Sequence, residues 1–150
     1  MPKRKAEAGS AIAENRKARF DVAVGETLEA GLILDGTEIK SIRARRAQLT
    51  GAYVRLVSGK PVLIGMHLSQ AGEPERVRPL LLHKKQIASL KEAIQAGGNA
   101  VVPLKLYLSK GFAKLLIGIG PGRKTHEKRN LLRERDISRE TASELKRHGR

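Results

Sequence analysis

A group of glycines followed by basic residues is the first place in this chain where chemistry can be sought. Gly118 and Gly120 precede Arg123 and Lys124, as glycines precede the cation of many phosphate-binding loops. Counted from Gly118, Arg123 stands where both the triphosphate loop and the dinucleotide loop require a glycine. The spacing therefore argues against a nucleotide-binding enzyme. Glycine has free φ and proline lacks an N–H, so Gly120 and Pro121 predict the end of a strand.

The other reactive side chains do not form a recognisable catalytic or metal site. The chain has no cysteine, which excludes disulfides and zinc sites built on thiolates. Its histidines lie at irregular spacing: His67, His83, His126 and His148. We therefore predict no metal, no cofactor, no catalytic residue and no small-molecule substrate. An RNA-cleaving enzyme that uses Glu29 or Glu38 with a histidine is an alternative, because distant residues can converge in a fold.

The charge balance points to a large anionic partner. Lys and Arg number 30 against 15 Asp and Glu, for a net charge of +15. The excess is +4 over residues 1–20, +6 over residues 21–119 and +5 over residues 120–150. Many Lys and Arg contacts to phosphates gain free energy from counterion release, so nucleic acid is the partner that this distribution favours.

No segment predicts a membrane span or a secretion signal. The apolar runs fall short of the roughly 20 residues that a spanning helix needs. The charged start, MPKRKAEAGS, is not followed by the apolar stretch of a signal peptide. With 150 residues the chain can form one domain with a real core. We expect a soluble cytoplasmic protein without membrane contact.

Apolar periodicity predicts short strands and helices. The alternation from Leu28 to Leu34 predicts a strand, and Asp35-Gly36 predicts a turn after it. Ile39 and Ile42 are three residues apart, which favours a short helix. Residues 69–79 are polar and predict a loop.

Two strand pairs and a longer helix complete the prediction. The strand pairs are expected around Ser58-Gly59 and around residues 109–111. Between them, Ile87, Leu90 and Ile94 form an apolar helical stripe that ends at two glycines. The sum is five or six strands with helices, which predicts a mainly β fold closed into a small antiparallel β-barrel.

Six stretches of the chain together resemble one protein family. They are IAENRKAR, LEAGLILDGTEIKSIRA, AYVRL, LLLHKKQI, VVPLKLYL and GRKTHEKR, and they occur in family order over nearly the whole chain. The family is the SsrA-binding protein, SmpB, the bacterial partner of tmRNA in the rescue of stalled ribosomes. The resemblance implies a small oligonucleotide-binding-type antiparallel β-barrel with flanking helices and a disordered basic C-terminal tail. It implies an RNA-binding adaptor for trans-translation rather than an enzyme.

A division into three parts is expected. Residues 1–14 would form a flexible basic N-terminal arm, and residues 15–120 the RNA-binding β-barrel domain that holds the tRNA-like domain of tmRNA (SsrA RNA). Residues 121–150 would form a basic tail, disordered when free and helical on the ribosome. The resemblance implies that this tail occupies the empty mRNA path against small-subunit RNA. A ribosome-associated structural protein is the alternative that the composition also permits.

The candidate RNA-binding residues of the body are mostly basic. They are Asn15, Arg16, Lys17, Arg19, Glu29, Lys40, Arg43, Arg45, Tyr53, His67, Lys84 and Lys85. The cations fit phosphate contacts, although a solvated arm is the alternative for residues 15–19. Asn15 can donate and accept at a nucleotide edge. Tyr53, His67 and Phe20 are possible stacking groups, and each also fits a core or rim position.

Two of these candidates carry a more specific argument. Lys84 and Lys85 begin the predicted long helix, where cations oppose the helix dipole unless an anion lies near. Glu29 is an acid in a basic protein, and an exposed pairing with Lys or Arg is its ordinary explanation. A carboxylate can also accept hydrogen bonds from base amino groups. The resemblance carries an RNA-binding glutamate onto the stretch LEAGL, which favours Glu29 as a base contact.

The candidate ribosome-binding residues lie at the start of the tail. They are Gly122, Arg123, Lys124, His126, Lys128 and Arg129. Like-charge pairs four residues apart, such as Arg129 with Arg133, disfavour an isolated helix. No continuous apolar stripe predicts docking of the tail on the body. The tail is therefore expected to fold on an RNA surface, where phosphates neutralise its cations.

Overall fold

A curved antiparallel sheet with flanking helices forms the body of the protein. The computed structural model describes residues 11–69 and 71–148. The helices are α1 (Arg16–Asp21), α2 (Gly36–Arg43), α3 (Lys84–Ala96) and α4 (Thr125–His148). The strands are β1 (Ala11–Glu14), β2 (Glu26–Leu32), β3 (Ala47–Gln48), β4 (Tyr53–Val57), β5 (Lys60–Ile64), β6 (His67–Leu68), β7 (Arg78–Leu81), β8 (Asn99–Ser109) and β9 (Phe112–Pro121). The mainly β fold with helices is confirmed.

Seven of the strands form one sheet in the order β1-β8-β9-β2-β7-β5-β4. β3 pairs with β6 in a separate two-stranded ribbon. The last strand of the large sheet, β4, lies beside β8, so the sheet curls round on itself. In the part of the chain that the structure describes, these two strands close against each other by packing rather than through a ladder of backbone hydrogen bonds.

The strands β8 and β9 form a long hairpin within the sheet. Its strands pair from Asn99 opposite Pro121 to Ser109 opposite Phe112. The tight turn between them places Lys110 and Gly111 at φ values of 52° and 82°, which is the left-handed geometry that a two-residue hairpin turn requires. The strand pair predicted at residues 109–111 is therefore confirmed, as is the pair around Ser58-Gly59.

The alternation predicted for β2 describes its two faces correctly. Leu28 and Ala30 are buried and lie opposite Ile117 and Leu115 of β9. Glu29 points to the other, exposed face. The inward side chains join one apolar cluster that also takes in Leu90 of α3, as the apolar stripe of that helix predicts.

Three local predictions were wrong. Asp35 does not form a turn with Gly36 but caps α2: its carboxylate accepts a hydrogen bond from the Glu38 amide, and the Glu38 carboxylate accepts one from the Asp35 amide. The expected flexible arm ends early, because Ala11–Glu14 is a strand paired with β8; residues 1–10 lie outside the described residues. The expected polar loop also ends early, at Arg78, where β7 begins.

A buried ion pair explains why β7 was missed. The side chains of Arg78 and Glu38 are 0% and 1% exposed, and Arg78 Nε donates to Glu38 Oε2 at 2.8 Å. Arg78 also donates to the backbone oxygens of Met66, Glu73, Pro74 and Arg76. A prediction based on the spacing of apolar residues assigns an arginine to the protein surface. Here Arg78 is buried, and the loop before β7 folds around its guanidinium.

Arg76 completes the network on the solvent side. Its guanidinium donates to Glu38 Oε1 and Oε2 at 2.6 and 3.0 Å. Burial raises the pKa of the Glu38 carboxyl, but the hydrogen bonds from Arg76 and the Asp35 amide, with the charges of Arg78 and Arg76, lower that pKa below its ordinary value. Glu38 is therefore ionised in the folded protein at neutral pH.

Glu38→Gln should lower the free energy of unfolding by about 3–5 kcal/mol at neutral pH, because Arg78 would remain as a buried charge without its partner. Since the folded pKa is below the ordinary 4.5, this contribution is lost as pH falls from that value through the folded one. Urea denaturation should therefore show the two proteins converging in acid.

The matched control is Glu92→Gln, which changes an exposed glutamate on α3. It should alter the free energy of unfolding by less than about 0.5 kcal/mol. Equal stability of Glu38→Gln and the parent protein at neutral pH would contradict the role given to the buried pair.

Candidate RNA interface

Asn15 is a structural residue, which corrects its prediction as a nucleotide contact. Its side chain is buried, with 1% of the residue exposed. Oδ1 accepts from the Ala18 amide at 3.1 Å and caps the N-terminus of α1. Nδ2 donates to the backbone oxygens of Leu49 and Pro103 at 3.1 and 3.0 Å. Because both amide hydrogens and the oxygen are engaged inside the protein, no hydrogen-bonding capacity faces a ligand.

The cations that follow Asn15 lie on the exposed surface of α1. Arg16 and Arg19 are exposed. Lys17 is also exposed, and its ammonium binds the carboxylate of Asp21 one helical turn later at 2.9 Å. Arg16 and Arg19 can contact phosphates without breaking an ion pair of their own helix, and their role remains a prediction.

Glu29 lies in a shallow cleft on the outer face of the sheet. The cleft has a volume of about 360 Å³ and lies between the outer strand face and the N-terminus of α3. It is lined by Glu29, Gly31, Leu81, Leu82, His83, Gln86 and Lys114. The hydroxyl of the fully buried Tyr107 donates a hydrogen bond to Glu29 Oε2. Tyr107 therefore holds one carboxylate oxygen of Glu29, while within the described residues no hydrogen bond engages Oε1.

Tyr107 and Lys114 were not predicted as site residues. They lie opposite each other on β8 and β9, and Lys114 also lies opposite Gly31 of β2. The signal was present in the alternation of β8, which puts Lys105 and Tyr107 on one face. The ammonium of Lys105 lies 5.8 Å from the centre of the Tyr107 ring. Lys114 thus lies in the cleft with the carboxylate that the sequence singled out, and Lys105 lies against the tyrosine that holds this carboxylate.

Lys84 and Lys85 lie beside the same cleft, in the first turn of α3. Both are exposed, and neither forms an ion pair in the described part of the chain. His83 is the N-cap residue that precedes the helix, and its amide donates to Gln86 Oε1 at 3.0 Å. The structure therefore brings Glu29 and the Lys84–Lys85 pair to one region, as expected of a surface that combines a base contact with phosphate contacts.

The basic residues on and after α2 have different surroundings. Lys40 and Arg43 are exposed on α2, but Arg45 lies past the end of the helix with a φ of 59°. Its Nη1 donates to the backbone oxygen of Ala11 at 2.9 Å. Arg45 therefore connects the end of α2 to β1.

The candidate stacking groups differ in how openly their rings are exposed. Tyr53 is 42% exposed on β4 and can stack on a ligand ring. His67 Nδ1 lies 3.2 Å from Glu75 Oε2, so its ring edge has a partner within the protein. Phe20 lies beneath the guanidinium of Arg135 at 5.9 Å. Of the three, Tyr53 presents its ring most openly.

The glycines at the start of the tail serve close packing. The prediction that Gly120 and Pro121 end a strand is confirmed, because β9 ends at Pro121 with Gly118 and Gly120 inside it. A Cβ on Gly118 would lie 2.8 Å from Leu104 Cδ1, and one on Gly120 would collide with the backbone oxygen of Ala23. Only glycine allows the chain to approach that closely at these positions.

The tail residues are ordered by contacts to α1. The Arg123 amide donates to the backbone oxygen of Asp21 at 2.7 Å. Lys128 binds the Asp21 carboxylate at 3.1 Å, while His126 and Arg129 are exposed. The expectation that the tail does not dock was therefore wrong, because it considered apolar contacts alone.

Of the two glutamates considered for an RNA-cleaving enzyme, Glu38 is not available for catalysis. Both oxygens of Glu38 are held by Arg76 and Arg78 in a buried network, so Glu38 cannot act on a bound RNA. Glu29 is hydrogen-bonded to Tyr107, and the histidine beside it is His83 of the cleft.

No helix in residues 11–69 and 71–148 is long and apolar enough to cross a membrane.

Comparison with known proteins places the chain in a family. The sequence model of the SmpB protein family matches residues 12–147. The chain belongs to the SmpB family. The match runs from the second residue of β1 to the next-to-last residue of α4 and so includes all the elements described above. This is a family of RNA-binding proteins and not of enzymes.

Individual SmpB relatives agree over nearly their whole lengths. The SsrA-binding protein of Halalkalibacterium halodurans is 49% identical, with 95% of this chain and 97% of the relative covered. That of Lysinibacillus sphaericus is 47% identical, with 88% and 90% covered. A chain in the solved structure described as "tmRNA-SmpB: a journey to the center of the bacterial ribosome" superposes with a TM-score of 0.63 at 38% identity, covering 75% of this chain and 84% of that one.

Asn15→Ala should destabilise the protein by about 1–3 kcal/mol, because the backbone oxygens of Leu49 and Pro103 would lose their donor inside the protein. Arg16→Ala, one residue along on the exposed surface, should change stability by less than about 0.5 kcal/mol. Urea denaturation of the two variants measures the difference. If Asn15→Ala were as stable as the parent, the buried role would be contradicted.

Proposed function

We propose that this protein is an RNA-binding adaptor that binds the tRNA-like domain of tmRNA (SsrA RNA) and delivers it to stalled ribosomes for trans-translation. The observation that carries the proposal is 49% identity to an SsrA-binding protein over 95% of the chain. The solved structure it resembles supports the ribosome as the second partner. In this role the protein acts in the cytoplasm and supplies no catalytic group.

The body binds RNA through the cleft around Glu29 in this proposal. A carboxylate accepts hydrogen bonds from the amino and imino groups of bases, which lysine cannot do. Tyr107 holds one oxygen of Glu29, so the other is oriented before RNA arrives. Lys114 lines the same cleft, and the exposed Lys84 and Lys85 follow His83 at its edge. In this proposal the three lysines contact phosphates of the bound RNA.

The tail is proposed to contact ribosomal RNA in the empty mRNA path. α4 contains 24 residues, which corresponds to a rod about 36 Å long at 1.5 Å per residue. Its first turns expose His126 and Arg129, a ring that can stack and a cation that can bind phosphate. That the tail is disordered when free and helical on the ribosome is part of this proposal.

Glu29→Ala should weaken tmRNA binding about 5- to 150-fold, the equivalent of the 1–3 kcal/mol of a good base contact. Simple electrostatics predicts the opposite, because the change removes a negative charge from a complex with RNA. Filter binding or fluorescence anisotropy with the tRNA-like domain measures the affinity.

Glu26→Ala is the matched control, because it removes the same charge from an exposed position of the same strand. It should leave binding unchanged or slightly tighter. Equal affinities for the two variants would assign Glu29 to an ordinary surface role.

Removal of residues 123–150 should separate tmRNA binding from tagging. β9 ends at Pro121 and the buried apolar cluster lies wholly before that point, so the body should fold and bind tmRNA with little loss. Tagging of nascent chains on reconstituted stalled ribosomes should be abolished. Loss of tmRNA binding by a truncated protein that is folded by circular dichroism would contradict this division, and surviving tagging would contradict the role of the tail.

A further inference from the structure

Phe112 is the most exposed of the large apolar side chains in the described part of the chain, with 69% of the residue open to solvent. It is the first residue of β9 and pairs with Ser109, the last residue of β8. Lys110 and Gly111 alone lie between them, and both have the left-handed φ of a tight hairpin turn. The short turn therefore holds a phenyl ring at the tip of the sheet before any ligand arrives.

The ring lies on the same face of the sheet as the cleft around Glu29. Side chains two residues apart on a strand share a face, so Phe112, Lys114 and Leu116 lie on one side of β9. Lys114 lines the cleft, and Leu116 is paired with Glu29 of β2. At about 3.4 Å per residue, Phe112 lies about 14 Å along β9 from the position of Glu29, with Lys114 halfway. One outer face thus carries a carboxylate, a cation and an aromatic ring in line.

The charges around the ring favour an anionic partner. Residues 99–121, which form β8, the turn and β9, contain three lysines and no aspartate or glutamate. Lys110 is exposed in the turn itself. This surface is continuous with the cleft that the proposed function assigns to RNA. Unpaired bases of folded RNA stack on aromatic side chains, and neighbouring cations hold the phosphates, so RNA is the partner that these residues fit.

Lys110 is an uncommon residue for its place in the turn. Its φ of 52° lies in the left-handed region, which glycine and asparagine adopt more readily than lysine. The β4–β5 hairpin has the same turn geometry with Ser58 and Gly59, at φ values of 53° and 77°. The turn itself therefore does not call for a lysine at position 110, whereas a phosphate beside the ring of Phe112 would.

We propose that Phe112 stacks on an unpaired base of the bound RNA and that Lys110 contacts a phosphate next to that base. The RNA-binding surface then extends from the Glu29 cleft to the tip of the β8–β9 hairpin. This inference rests on the function proposed above. A single exposed apolar side chain is common on protein surfaces. The fixed position of this ring, its cations and its continuity with the cleft distinguish it from such a residue.

Alanine substitution tests the stacking contact. Phe112→Ala should weaken binding of the tRNA-like domain of tmRNA about 5- to 150-fold, as expected for loss of one base–aromatic stack. Because stacking on a neutral ring releases no counterions, the slope of log K against log salt should not change. The matched control is Val57→Ala, which changes an exposed apolar residue at the tip of the β4–β5 hairpin. It should leave the affinity unchanged.

Lys110→Asn separates the charge of the turn from its shape. Asparagine adopts the left-handed φ readily, so the variant should be at least as stable in urea as the parent. Its affinity for the tRNA-like domain should fall, and the salt dependence should become shallower by about one unit of slope, as expected for loss of one phosphate contact. Unchanged affinity and slope would overturn the part of the proposal that concerns Lys110.

Fluorescence reports the stacking directly. The chain has no tryptophan, so Phe112→Trp introduces a single indole at the hairpin tip. This variant should bind the tRNA-like domain as tightly as the parent, and its emission should be quenched in the complex, because the indole lies against a base. Val57→Trp places an indole at the tip of the other hairpin and should show little quenching.

Either parent-like RNA affinity of Phe112→Ala or unquenched emission of Phe112→Trp in the complex would overturn the proposal. Sedimentation tests a second copy of the chain as the occupant: self-association of the parent that is lost in Phe112→Ala, with RNA affinity unchanged, would assign the ring to a dimer contact instead. Failure of the parent to bind the tRNA-like domain would overturn the proposed function and this inference with it. Tight binding by the parent and by Phe112→Ala alike would overturn this inference alone.

Discussion

The pairing of Glu38 with Arg78 is the constraint on which much of the fold depends. Neither charge reaches water, so each would cost several kcal/mol in isolation. Glu38 belongs to a capped helix, whereas Arg78 opens a strand that lies between β2 and β5 in the sheet. Any arrangement that separates α2 from β7 leaves a buried ion without a partner. The pair therefore selects one relative placement of these elements.

The same arginine organises the loop that precedes it. Four backbone oxygens turn toward its guanidinium, so the polar groups of an irregular segment are satisfied without regular structure. The loop held in this way leads β7 into the sheet at a defined register, with Leu80 opposite Leu32 and Leu81 opposite Gly31. Leu81 lines the cleft around Glu29. A buried charge on one side of the sheet thus determines the shape of the surface on the other side.

The sequence predicted the elements whose signals are local. β2, the two hairpins and α3 follow from apolar periodicity and glycine placement, because their burial repeats at the period of the element. β7 and the role of Asn15 could not be predicted that way. Each depends on polar atoms that find partners about 30 to 90 residues away, and nothing in a local pattern distinguishes such a residue from one on the surface.

Sequence reasoning singled out some residues of the candidate site and missed others. Glu29 was singled out because it is an acid in a basic chain and because the family resemblance carries an RNA-binding glutamate onto the stretch LEAGL; its role stays a prediction. Tyr107 was missed because strand alternation does not show which outer-face residues are covered. The tail was expected to stand apart because its apolar residues are few, yet it is held by one carboxylate and one aromatic ring.

Gly118 and Leu104 show how closely two strands of the hairpin are matched. Leu104 is fully buried, and its branched end fills the space that a side chain at position 118 would need. The two positions therefore share a single volume. Among related chains an alanine or serine at 118 should accompany a smaller residue at 104, so these two sites are expected to change together rather than one at a time.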